Sequence, residues 1–273
     1  MHRHFWDVEV GSQMSGQGVN DRVRGHYWAC VLAVAACATG CYYEGGTPPR
    51  LVSDRSAELG VPVKQYRLMG WSVEKRPVML QVLGQGEDVR FVMAGIHGDE
   101  GAGTTLARRF SDYLDRHRQL LAGKQVLILP VANPDGKANG TRQNARGVDL
   151  NRNFPAANRV ASPESGSMGL SEPESRVIHR IIREYRPSQI VSVHQPLGCV
   201  DYDGDAEGIA QRMAKACGLP VKKLGARPGS LGSYGSQVRR IPIVTLELLD
   251  SDSKLSGDQL WTRYGGALLE AVK

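Results

Sequence analysis

Five stretches of the chain carry apolar residues consecutively, or at alternate positions, over the length of a strand. They are "RPVMLQVLG" (76–84), "DVRFVMAGI" (88–96), "QVLILPV" (125–131), "QIVSVH" (189–194) and "IPIVTLEL" (241–248). Short runs rich in Val, Ile and Leu, bounded by Gly, Pro or charged residues, are expected to be β-strands. Between them, segments near 100–121, 172–186, 205–217 and 257–272 read as helices. "SEPES" at 171–175 reads as a helix start, with Ser171 as N-cap, Pro173 at the second helical position and acidic residues around it. Apolar strands alternating with helices predict a single α/β domain, with a mixed, mainly parallel sheet and helices on both faces. The chain has no internal repeat.

Ligands of open α/β sheets gather at the carboxyl ends of the strands, and the notable polar residues fall there. His97 ends the strand at 89–96, Asn133 follows that at 125–131, and His194 ends that at 189–193. In "FVMAGIHGDEGAG" (91–103), His97 and Glu100 stand three residues apart in a turn leading into a helix. That spacing lets both point at one centre, though these residues alone also suit an ordinary strand-ending loop. A zinc site would need a third protein ligand, an open position for water and a base. Glu247 is a lone acid inside the apolar run "IVTLELL", where a charge is costly unless it has a salt-bridge partner or a task.

At 273 residues and 41% hydrophobic, the chain can bury one substantial core. The net charge of +6 comes with no dense Lys/Arg run interleaved with aromatics. Nucleic acid is therefore not an expected partner, whereas anionic substrates or polymers would be mildly attracted.

The beginning of the chain changes the picture more. In "DRVRGHYWACVLAVAACATGC", Arg22 and Arg24 precede an apolar run from Tyr27 to Ala38. The run is short for a bilayer span and suits a signal-peptide core. Small residues before Cys41 resemble a bacterial lipobox, with Ala38 where Leu is more usual. Residues 1–40 are thus expected to be a lipoprotein-type signal peptide, with Met14 as an alternative start, and Cys41 the lipidated residue. A cleaved leader without lipid, or a plain hydrophobic anchor, is the alternative. Tyr42 after the cysteine, rather than Asp, points to the outer membrane, with the protein facing the periplasm. Residues 41–60, rich in Gly, Pro and polar residues, read as a flexible tether, and 61–273 as the catalytic domain. Cys30 and Cys37 would leave with the signal. Cys199 and Cys217 would remain, as a disulfide or as two free thiols.

After "LPVANPDG" comes "TRQNARGVDLNRNFP" (141–155), polar, basic and without helix or strand periodicity. With "HGDE", "NPDG", "SVH" and "TLEL" it strongly resembles the zinc carboxypeptidases of the M14 type, in the family's order from about residue 65 to the end. "PGSLGSY" and "HQPLGCVDYDG" are similar to the family's bacterial murein peptide amidases, which cut the γ-D-glutamyl–diaminopimelate bond. The resemblance implies one zinc per chain, on His97, Glu100 and His194, with a position left for water. It implies Glu247 as general base and Arg142 as the guanidinium that stabilises the oxyanion. It further implies Asn151 and Arg152 as the grip on the substrate's terminal carboxylate, and Asp149 as the acid that orients His97.

One departure stands out. Many such enzymes carry a mobile Tyr shortly before the "GS" that precedes the last strand, and no Tyr stands there before Gly229. Tyr234 is then a candidate pocket-wall residue, and Arg227 either meets a charged substrate group or is an exposed loop residue. "DYDGD" (201–205) starts like a calcium loop but has Arg212 at the twelfth position, so it is rejected. His117 and His179 sit among charges on helices and are expected to be exposed; "GQG" (84–86) is a turn.

The expected activity is hydrolysis of murein peptides, with a membrane contact through the N-terminal lipid. A carboxypeptidase of broader specificity, an acylamino-acid deacylase, or a lipoprotein that binds murein peptides without cutting them are the alternatives. Cys41→Ser should abolish processing and membrane association; unchanged fractionation of the variant with membranes would remove the lipoprotein assignment.

Overall fold

A computed structural model describes residues 64–273. The leader over 1–40, Cys41 and the tether over 41–60 lie outside the described residues. Seven strands form: β1 Gln65–Trp71, β2 Pro77–Gly84, β3 Asp88–Ala94, β4 Lys124–Leu129, β5 Gln189–His194, β6 Leu197–Asp203 and β7 Ile243–Leu249. They make one sheet in the order β1-β2-β4-β3-β5-β7-β6. The four central strands β4, β3, β5 and β7 run parallel. On one flank β1 and β2 are antiparallel, and on the other so is β6. The sheet is mixed, and its parallel character belongs to the centre.

The parallel strands are buried on both faces, which is why they appear as continuous apolar runs. The helices are α1 Gly101–Arg116, α2 Pro134–Asn139, α3 Pro173–Tyr185, α4 Glu207–Cys217 and α5 Gly257–Ala271. α1, α4 and α5 cover one face, around Leu106, Phe110, Val191, Leu246 and Tyr264. α3 and the segment around Phe154 cover the other, with Phe91, Met93, Ile178 and Tyr234. Complete burial of side chains this large stabilises by roughly 1.5–3 kcal/mol each.

Two local expectations are corrected. α3 is capped at Glu172, without a side-chain cap bond, rather than at Ser171. The Ser171 hydroxyl is engaged elsewhere: it donates to Glu172 Oε1 at 2.8 Å and accepts from Asn153 Nδ2 at 2.8 Å. His117 is half-buried rather than exposed, its ring 3.9 Å from that of Tyr113 and its Nδ1 2.8 Å from the Tyr113 carbonyl oxygen. Cys199 and Cys217 are both free thiols, so no disulfide joins them.

Because β3 and β5 are parallel neighbours, they end together, and their following turns meet. The fully buried Asn133 braces that meeting point. Its Oδ1 accepts from Gly136 N at 2.9 Å, capping α2, while Nδ2 donates to the carbonyls of Ile96 (3.3 Å) and Arg142 (3.4 Å). Gly98 lies against α2 so closely that an added Cβ would come 2.0 Å from the carbonyl carbon of Gly136. Gly98→Ala must therefore push the His97–Glu100 turn away from α2. A loss of about 1–3 kcal/mol in denaturant unfolding, with weaker metal uptake, is expected.

Candidate active site

The centre is built from two strand ends and one helix start. His97 follows β3 through Gly95, whose φ of +63° is the left-handed turn that redirects the chain. His194 is the last residue of β5, and Glu100 is the N-cap of α1. His97 Nδ1 lies 2.6 Å from Glu100 Oε1, His194 Nδ1 lies 3.0 Å from Glu100 Oε2, and the two Nδ1 atoms are 3.2 Å apart. All three side chains are buried.

Ligands of a tetrahedral zinc bound at roughly 2.0–2.1 Å stand about 3.3 Å from one another. The three donors stand 2.6–3.2 Å apart, already gathered to slightly inside that spacing, and two neutral imidazoles with one carboxylate are a donor set suited to zinc. The outward nitrogen of His97, Nε2, sits 3.2 Å from Asp149 Oδ1. That contact selects the Nε2–H tautomer and leaves the Nδ1 lone pair facing the other donors. The residues therefore fit the metal.

Protons and a metal compete for the same lone pairs in this cluster. Burial would raise the Glu100 carboxyl, but the His194 charge and hydrogen bonds from both histidines outweigh it and hold the pKa at about 2. Burial also opposes a charge on His97, yet hydrogen bonds to Asp149 and Glu100 prevail and raise its pKa. Asp149 is held far below the usual carboxylate range: burial is again outweighed, here by the His97 hydrogen bond and charge and by Arg142 and Arg152.

Asp149 also organises the arginine loop. Its Oδ2 accepts from Arg142 Nε at 3.1 Å, and its Oδ1 from the Asn151 backbone at 2.8 Å. Arg142 Nη1 reaches to 3.6 Å from Glu100 Oε1, beside the metal ligands. Asn144 holds the loop in shape: its Oδ1 accepts from the amides of Arg146 (3.0 Å) and Val148 (3.1 Å), and its Nδ2 donates to Glu172 (2.8 Å) and Glu174 (3.1 Å). Asn151 Oδ1 accepts from Leu231 N at 2.9 Å, which turns its Nδ2 donor toward the cleft. Arg152 Nη1 donates to the Asn151 carbonyl at 2.7 Å, leaving the rest of the guanidinium to the cleft. Gly229, at φ +66°, packs its backbone on Arg152, where a Cβ would lie 2.3 Å from the Arg152 carbonyl oxygen.

Glu247 pairs in register with His194 on one side and with Cys199 on the other. It is 9% exposed, and among the described residues it forms no ion pair. Among the described residues its side chain accepts one hydrogen bond, a long one of 3.5 Å from Leu197 N. Burial is the largest influence on its pKa, which is raised; the His194 charge opposes this and Glu100 adds to it. A purely structural, salt-bridged Glu is not what the fold contains here.

These groups line a cleft of about 280 Å³ whose further wall includes Asp201, Asp203, Arg227, Ser230 and Gly232. A larger groove of about 600 Å³ beside β1 and β2 is lined by none of His97, Glu100, Arg142, Arg152, His194 and Glu247. Tyr234 does not line the cleft, which corrects the pocket-wall expectation. It is 2% exposed, stacked on Phe154 at 5.6 Å, and its hydroxyl meets His179 Nδ1 at 2.8 Å. The helical turn Leu231–Ser233 carries it inward, and the same bond makes His179 half-buried rather than exposed. Sequence reasoning missed Asp201 and Asp203. Two acids spaced two apart in "CVDYD" were their signal, since that spacing puts both on one face of a strand.

Comparison with known proteins agrees with this geometry. The family model described as zinc carboxypeptidase matches residues 63–203. Murein peptide amidase A of Escherichia coli K12 is 36% identical over 204 residues, covering 67% of this chain and 78% of that protein. Murein peptide amidase A of Vibrio campbellii is 33% identical over 175 residues, covering 58% and 68%. The crystal structure of murein-tripeptide amidase from Escherichia coli O157 superposes with a TM-score of 0.58 at 25% identity, covering 77% of this chain and 97% of that one. Bovine thrombin-activatable fibrinolysis inhibitor shares the fold, with a TM-score of 0.65 at 17% identity over 80% and 90% of the two chains.

His194→Ala should lower bound zinc severely in elemental analysis of the purified protein. Affinity should also fall with pH. Below the raised pKa of the metal-free His97 a proton competes with zinc for the imidazole, so the apparent affinity declines progressively as pH falls beneath that value. Full occupancy in the variant would remove the assignment.

Proposed function

The chain belongs to the zinc carboxypeptidase family, and on that premise we propose that it is a zinc-dependent amidase of murein peptides, cleaving γ-D-glutamyl-meso-diaminopimelate bonds. The observation that carries the catalytic part of this reading is Glu247, a buried carboxylate without an ion pair, in register beside His194. The substrate class rests on the likeness to murein peptide amidases over most of both chains.

His97, Glu100 and His194 would hold the zinc, which when bound supplies Lewis-acid polarisation of the scissile carbonyl and of the attacking water. Every other task falls to side chains of the cleft. The Arg152 guanidinium and Asn151 Nδ2 bind the terminal carboxylate of the substrate and set its depth. Arg142, half-exposed and fixed by Asp149, donates to the carbonyl oxygen as negative charge develops on it. Glu247 takes a proton from the attacking water and returns it to the leaving nitrogen, so its raised pKa brings it closer to what both transfers require. On sequence grounds alone we place the enzyme at the periplasmic face of the outer membrane, held by lipid on Cys41.

Incubation with L-Ala-γ-D-Glu-meso-diaminopimelate should release diaminopimelate, identified by mass. Glu247→Gln keeps size and polarity but removes the basic oxygen. It should retain zinc and bind the tripeptide in calorimetry, while turnover falls by roughly two to four orders of magnitude. Turnover at the parental rate would refute the role of Glu247. A parent that binds the peptide and never cuts it would leave a binding protein.

A further inference from the structure

The outer face of α3 carries positive charge that the fold leaves almost unbalanced. The buried stripe of this helix includes Val177, Ile178, Ile181 and Ile182, and Arg176, Arg180 and Arg183 stand on the other side at i, i+4 and i+7. Arg186 continues the row at the end of the helix. Arg239 and Arg240 close the neighbouring turn that carries Tyr234. All of these arginines are exposed. Among the described residues only Arg180 meets a carboxylate, that of Glu184 at 3.7 Å. Arg176 donates to the Leu170 carbonyl at 2.9 Å, and the side chains of Arg183, Arg186, Arg239 and Arg240 make no hydrogen bond or ion pair among the described residues.

These parts belong to one surface. The Tyr234 hydroxyl meets His179 Nδ1 at 2.8 Å, which ties the turn to α3. Burial, and then the charges of Arg183 and Arg239, lower the His179 pKa, so both arginines stand near one imidazole. On its other flank α3 packs against β1, where Trp71 shares a shallow pocket with Arg176 and Arg180. Trp71 is 49% exposed, and Val238, next to Arg239, 47%. Helix stability does not account for the row. Like charges at i and i+4 oppose the helix, and Arg176 stands toward the positive end of its dipole; only Arg183 and Arg186 are near the negative end.

A partner that balances this charge has to be anionic. It also has to be broad, because the arginines spread over the outside of a helix and the turn beside it. Arginine binds phosphate bidentately, and Trp favours the headgroup level of a bilayer. No helix among the described residues is long and apolar enough to cross a membrane, so such a contact is peripheral. We propose that the outer face of α3, with Trp71 and Val238 at its margins, docks the domain on an anionic phospholipid surface. The arginines pair with lipid phosphates, while Trp71 and Val238 enter the headgroup layer. None of these residues lines the cleft, which stays open to substrate. The contact requires neither the amidase reading nor lipid on Cys41. Salt reverses it, so membranes washed in high salt report the lipid anchor alone.

The test uses the full chain in vesicles of dibrominated phosphatidylcholine, alone or with about 30% phosphatidylglycerol. The readout is quenching of the emission that Trp71→Phe removes, since bromine quenches only rings that reach the lipid. Quenching should appear with phosphatidylglycerol and be lost in neutral vesicles and in high salt. An arginine at an anionic surface is worth about fivefold in partitioning, so joining Arg183→Gln to Arg239→Gln should lower the docked-to-free ratio on the order of twentyfold. Should that double variant fold poorly, Arg176→Gln with Arg240→Gln reads the same loss through other residues. Undiminished quenching in a variant whose zinc content and melting curve match the parent would overturn the proposal, as would equal quenching in neutral vesicles. Capture of soluble polyphosphate through these arginines, with Trp71 quenched in neither vesicle, would also overturn it and leave a site for a soluble polyanion.

Discussion

The carboxylate of Asp149 joins parts of the chain that would otherwise be independent. One oxygen faces His97 Nε2 and the Asn151 amide, and the other holds Arg142. A single buried charge therefore sets the tautomer of His97, the direction of the Arg142 guanidinium and the start of the turn that presents Asn151 and Arg152. Such a junction is stable only if its own charge is compensated, and the surrounding cations hold it ionised. Loosening it would disturb His97, Arg142 and the Asn151–Arg152 turn together. Neighbouring loops that each carried one function would not be linked in this way.

The sheet explains why these parts face one cleft. Its parallel centre sends β3 and β5 out at the same edge, which places the ligands. The antiparallel β6 then returns alongside β7, so that its residues run back down the wall of the same cleft. His97 and His194 thus sit at strand ends, while Glu247 and the distal wall come from the faces of strands. Rigid elements carry both, and the loop between them is held by Asn144 and Asn153.

Legibility followed burial. β2, β3, β4, β5 and β7 were evident as apolar runs because both of their faces, or nearly so, are covered. β1 was not, since only Met69 of its seven residues is buried and its pattern resembles a loop. β6 was hidden for the opposite reason: the acids that line the cleft break the apolar alternation that would have marked a strand. The residues now gathered in the cleft were named through the resemblance of their motifs to the zinc carboxypeptidases, since the spacing of His97 and Glu100 alone also suited an ordinary loop. The Asn144 scaffold and the Tyr234–His179 bond were not, because each depends on partners distant in the chain.

β1 ends the sheet, and among the described residues no strand pairs with its outer side. Tyr66 (61% exposed), Leu68 (48%) and Trp71 (49%) stand along this edge. An open row of amides and carbonyls flanked by apolar side chains is a template for adding another strand. Two features shorten it: the register breaks between Leu68 and Gly70, and Arg67 turns its guanidinium to the Tyr185 hydroxyl at 2.8 Å. The usable edge is then only a few residues long, so a strand laid against it would find few backbone partners in register.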